Sequence, residues 1–140
     1  MDIRRNLRMA IVGIGCGWIG GAAMFVATLP KVMAFKEFSG YPILFVVLAG
    51  IFAYLLSSSL GESIYTILIC FLSGMGFMMA GQIAPLYILG YSQASRNALM
   101  IPFLAQVVTV GITKFLYYLV IGYMAAIGGS YALSRWQSDV

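Results

Sequence analysis

Three apolar runs of the length that crosses a lipid bilayer, and a fourth that overshoots it, constrain this chain more than any other feature of its sequence. A helix rises 1.5 Å per residue, so about twenty apolar residues cover the roughly 30 Å hydrocarbon core of a bilayer. The runs fall at 9–29, 41–56, 64–89 and 99–133. The expected fold is all-α, a polytopic transmembrane helical bundle forming one integral membrane domain over residues 1–140. Four spans are favoured and five are possible.

Composition leaves no other solvent. The chain is 62% hydrophobic and 9% charged, whereas about a quarter of the residues of a soluble domain carry charge. A soluble globule of this size would still show about a third of its chain surface to water, and twelve charged side chains cannot cover that.

The first run is opened by Arg4, Arg5 and Arg8 and closed by Pro30-Lys31, with Lys36-Glu37 following. It is longer than a usual signal-peptide core and lacks a convincing small-x-small cleavage site before Pro30, so it reads as a retained span. Cys16 does not make a lipobox, because Gly13 stands where that pattern has a branched apolar residue. The second run begins with Pro42 in its first turn, where a helix tolerates proline. It fades into a turn, Ser57-Ser58-Ser59-Leu60-Gly61-Glu62-Ser63, before the third. Pro85 is expected to kink or end the third run, and 90–97 is expected to be a loop carrying Arg96.

The stretch 98–133 contains only Gln106 and Lys114 as strongly polar residues. As one helix it would be about 54 Å long. Either a single tilted or kinked helix centres near Lys114 with its ends in the interface, or two segments meet at 111–114, the first a re-entrant half-helix. The arginines before the first run place the N-terminus in the cytoplasm. With four spans Arg135 joins them, and Lys31, Lys36 and Arg96 lie outside.

Several classes of chemistry lack their residues. There is no histidine, and the carboxylates are Asp2, Glu37, Glu62 and Asp139, so no metal or haem ligand set forms and no serine has a base to activate it. Cys16 and Cys70 each lie in an apolar run as small hydrophobes and make no CxxC pair. No catalytic residue, cofactor or enzymatic activity is expected, and no nucleic-acid partner, since the basic residues are not clustered on an exposed folded surface.

The polar and small residues inside the runs are the remaining candidates. Gly13, Gly17 and Gly21 are spaced by four and share a helix face; in lipid, small residues matter because they let backbones approach. They make either an internal seam or a subunit interface. Gly74, Gly76, Ala80 and Gly81 give the third run a similar surface, which makes it the natural partner of the first.

Lys114 near a bilayer midplane would carry an insertion cost of about 2.5–3.5 kcal/mol. It marks a turn, snorkels, lines a solute path or meets a partner. Gln82 and Gln106 stand at similar depth on either side of the 90–97 segment and could hydrogen-bond across it. Tyr117, Tyr118 and Tyr123 bring hydroxyls into the last stretch, with Tyr118 a candidate path residue. Glu62 is placed in an interfacial loop, and Met75, Met78 and Met79 are read as packing. Aromatic residues mostly mark span ends; Trp18 does not.

Leu29-Pro30-Lys31 after a first span, then Lys36, a second span and Gly61-Glu62 before a third resembles the three-helix repeat of PQ-loop sugar carriers over roughly residues 13–79. That family pairs the proline with glutamine where lysine stands here, and no site residue carries over. The expected function is a small non-enzymatic integral membrane subunit of a cell or plasma membrane. Its glycine-rich faces would pack in a homo-oligomer or against a larger membrane-protein partner, in a transport, secretion, respiratory or envelope assembly. The alternative is an oligomeric small-solute or ion transporter or channel with a path near Lys114, lined by Lys114, Gln82, Gln106 and the nearby tyrosines, Tyr118 among them.

Overall fold

A computed structural model of the chain describes residues 3–28 and 41–138. Pro30-Lys31, Lys36-Glu37, Asp2 and Asp139 lie outside the described residues. Within them the chain is all-helical: α1 (Ile3–Thr28), α2 (Tyr41–Leu55), α3 (Leu60–Ile88), α4 (Gln93–Val110) and α5 (Leu116–Ser138), the last two joined by a π-helical turn at Gly111–Phe115. Three helical runs are long and apolar enough to cross a membrane: Ile3–Ala27, Leu60–Ile88 and the 46-residue Gln93–Ser138. α2 is apolar but shorter.

The most extensive packing joins α1 to α3, followed by α2 to α5 and α1 to α2. Gly13 meets Thr66 and Ile69, Gly17 meets Cys70, Ser73 and Gly74, Gly21 meets Gly74, and Gly81 lies under Phe25. The pairs climb both helices together, so α1 and α3 run parallel. A Cβ on Gly21 would stand 2.5 Å from the Gly74 carbonyl oxygen, and one on Gly17 would strike Ser73 Oγ and the Cys70 carbonyl. The spacing of four thus puts backbone against backbone within a single chain. α2 and α5 make a second parallel seam, Gly50 against the Leu119 and Tyr123 backbone and Gly122 against that of Val47.

Phe115 is the hub. It is fully buried, its ring is stacked 5.9 Å from that of Phe71, and its edge reaches Gly20 and Gly74. The buried residues Cys16, Met24, Val46, Ala49, Cys70, Met78, Val107 and Leu119 surround it. The π turn explains how one long helix serves both seams. Its inward residues Val107, Gly111, Phe115 and Leu119 are spaced by four, and in an uninterrupted α-helix each such step would swing the face by about 40°. A widened turn takes up that drift. Met75 lies against Gly111, where a Cβ would collide with its sulfur.

Two expected boundaries are corrected. α3 begins at Leu60 rather than 64, because Ser59 caps it, its Oγ accepting from Glu62 N; Glu62 is therefore in the first helical turn and buried, not in a loop. The expected 90–97 loop shrinks to a turn at 89–92, closed by Gly90 at φ 70° and by the Ser92 cap, which accepts from Ser95 N. Arg96 is helical and lies over the Tyr87 ring at 5.1 Å. Of the two forms open to the 98–133 stretch, the structure has the long helix: 93–138 is helical throughout, the π turn included, about 69 Å by rise.

Phe115→Ala should lower unfolding stability in detergent by about 3–5 kcal/mol, the range for emptying a buried aromatic site. Gly17→Val should cost about 1–3 kcal/mol through forced separation of α1 from α3. Gly15→Val, with nothing within 4 Å of its Cβ, should leave the unfolding midpoint unchanged.

Candidate functional site

Two places bring unusual polar groups together or isolate them. The first is the end of the bundle where α1 begins and α2 turns into α3. Glu62 is 7% exposed, yet it accepts from Arg8 Nη2 at 2.8 Å and from Ser58 N at 3.0 Å through Oε2, and pairs with Arg5 Nε at 3.4 Å through Oε1. Arg8 Nη2 also bonds Ser58 Oγ. Arg4, Arg5, Arg8, Ser58 and Glu62 line an open cleft of 340 Å³.

From this cleft a set of hydroxyl contacts runs inward and ties the other helices together. Thr66 Oγ1 donates to the Glu62 carbonyl at 2.9 Å and lies 3.3 Å from Ser57 Oγ. Ser63 Oγ and Tyr123 OH share a hydrogen bond of 2.7 Å, and Tyr54 OH and Ser130 Oγ one of 3.0 Å. The Tyr54 and Tyr123 rings meet edge to face at 5.8 Å. Since Tyr54 lies in the last turn of α2 and Ser130 in the C-terminal half of α5, the C-terminal half of α5 belongs to the same end of the bundle as Arg8.

The second place is Lys114. It is in the π turn and exposed, one residue before the hub phenylalanine, and it makes no hydrogen bond or ion pair with a described residue. The aromatic and aliphatic side chains on the same outer surface are exposed as well, among them Tyr117 at 61%, Ile121 and Met124. Tyr118 is half-buried against the core and in edge contact with Tyr117 at 5.4 Å. The interior at this level is filled by Phe115, Phe71 and Leu119.

Other expected pairings come out differently. Gln82 is half-buried on α3 and Gln106 exposed on α4, and no hydrogen bond joins them. Gly13, Gly17, Gly21 and Gly74 all lie in the α1–α3 contact, with Gly81 beyond it under Phe25, while Gly76 has open space around it. Trp18 is 56% exposed, its ring 6.2 Å from that of Phe77. Cys16 and Cys70 are both buried and free.

The arginine–glutamate cluster was not anticipated. Its signal was present: Ser59-Leu60-Gly61-Glu62 is the S-x-x-E pattern of a helix start, which places the carboxylate on helix and within reach of a neighbour.

Tyr123→Phe should remove the Ser63 contact at a cost of about 0.6 kcal/mol, the average for such bonds in membrane proteins, read as a lower unfolding midpoint in detergent. Glu62→Ala should have a larger effect, because it frees two arginines and the Ser58 N–H together. The sequence matches no family model, and no curated protein or solved structure matches it.

Proposed function

We propose that the chain is a four-span, non-enzymatic integral membrane subunit that binds a membrane-protein partner through the outer face of α4 and α5 around Lys114. Twenty residues of α3 separate Glu62 from Gln82, about 30 Å of helix, and that equals the thickness of the hydrocarbon core. Arg8 and Thr28 bracket α1 in the same way. α2 runs back between these levels and the long helix makes the fourth crossing. Both termini then lie on one side, the cytoplasmic one by the Arg4, Arg5, Arg8 and Arg135 count.

The observation that carries the reading is the placement of Lys114. Phe115 packs on Gly74, which stands about 18 Å from the Glu62 boundary and 12 Å from the Gln82 boundary. Lys114 is thus near mid-depth and on the outside of the bundle. Its four-methylene stem is too short to carry the ammonium to either interface. Intramembrane cations face a partner or a water-filled cavity rather than lipid. The interior beside it is packed with side chains, so a neighbouring protein is the remaining place for a counter-group.

A solute path inside one bundle has less support, because Lys114 is turned away from the centre. A path between copies would use the same surface.

A photo-crosslinking residue at Ile121, introduced in native membranes, should capture a partner band, and Lys114→Leu should abolish it. The purified chain alone in liposomes should move no solute. A crosslink indifferent to Lys114→Leu, or a solute flux that Lys114→Leu abolishes, would overturn the proposal.

A further inference from the structure

The cleft at the Arg8 end has a charge balance and a geometry that the partner-docking surface does not use. We infer that Arg4, Arg5 and Arg8, grouped beside Ser58, form a binding site for a phosphate-bearing anion, supplied by a lipid headgroup or by a free phosphate. Three guanidiniums and one carboxylate line the cleft, an excess of two positive charges that a phosphomonoester dianion would balance.

The arrangement of the four charges matters more than their sum. Glu62 is on the floor, its side chain 8% exposed, while the side chains of Arg5 and Arg8 above it are 58% and 47% exposed. Both carboxylate oxygens are taken, one by Arg5 Nε and the other by Arg8 Nη2 and Ser58 N. An approaching anion meets guanidinium edges first, with the carboxylate acting to hold them in position.

A guanidinium carries five N–H donors in a planar fork that matches phosphate oxygens two at a time. The contacts to Glu62 and Ser58 use the Nε of Arg5 and the Nη2 of Arg8. Both terminal nitrogens of Arg5, two nitrogens of Arg8 and the whole of Arg4 have no partner among the described residues. Basic clefts between helices at the cytoplasmic boundary are suited to anionic headgroups, and this one is at the depth where headgroups begin in the proposed placement. The cleft itself does not depend on Lys114 or its partner.

The test uses the purified full chain in phosphatidylcholine nanodiscs, with phosphatidic acid as the lipid probe and inorganic phosphate as the free one. Phosphatidic acid should bind saturably. Arg8→Lys, which keeps the charge and the Glu62 pair but loses the fork, should weaken binding about tenfold. Arg135→Gln, which removes a charge from the same end but outside the cleft, should leave it unchanged. Competition by inorganic phosphate identifies the free anion as sufficient, and lack of competition assigns the site to the headgroup; either supports the inference. Arg8→Lys binding like the unaltered chain, Arg135→Gln weakening binding as much as Arg8→Lys, or no saturable binding of either probe would overturn it. Thermal unfolding of each variant checks that the fold is retained.

Discussion

Apolar side chains gain little by leaving lipid for one another, so a bundle with so apolar an exterior depends on how closely its backbones can approach. In this chain that constraint is met where α1 crosses α3. Gly17 and Gly21 stand against Cys70 and Gly74 with no room for a Cβ on either glycine. Dispersion contact over that seam sets the spacing of the two helices. The spacing in turn leaves a slot for one large ring, and Phe115 fills it. The second seam, Gly50 and Gly122 between α2 and α5, brings the remaining helix onto the same hub.

The two ends of the bundle are held by different forces. At the Arg8 end, hydrogen bonds join α1 to α3, α3 to α5, α2 to α5 and the turn after α2 to α3. A buried ionic cluster is weak evidence of stability, because desolvation opposes the attraction; its value here is in fixing register, since Arg8 meets Glu62 in only one alignment of α1 with α3. Toward the other end, α3 and α4 pack through apolar contacts and the Arg96–Tyr87 stack. The π turn lies between the two regimes. By keeping Phe115 inward it turns Lys114 outward, so the exposed lysine is a by-product of the same widening that lets one helix serve two neighbours.

How much of this the sequence discloses depends on whether a signal is local. Run length and apolar content reveal the helices, and the four-residue spacing of Gly13, Gly17 and Gly21 reveals a contact face and its pairing with the Gly74 region. Gly50 stands singly in α2, and Gly122 has no glycine four residues away in α5, so nothing local marks them. The Ser59–Glu62 cap was legible but was outweighed by the serines before it, which read as turn. Ser63 with Tyr123 and Tyr54 with Ser130 are 60 and 76 residues apart, and ordinary residue types at such separations carry no pattern. The π turn is a response to two packing partners at once, so it has no signature in either half of the helix alone.

The parallel pairing of α1 with α3 bears on the order in which the chain is made. α1 leaves the ribosome first, but the surface its glycines fit is completed only when α3 has followed, and α2 must be laid down in between. Until then three glycines of α1 are without a mate, and Arg8 waits for a carboxylate more than fifty positions downstream. Phe115 comes later still and enters a slot that the two earlier helices have formed. Assembly is therefore non-sequential. A chain truncated within α3 would leave the glycine face of α1 without its partner surface.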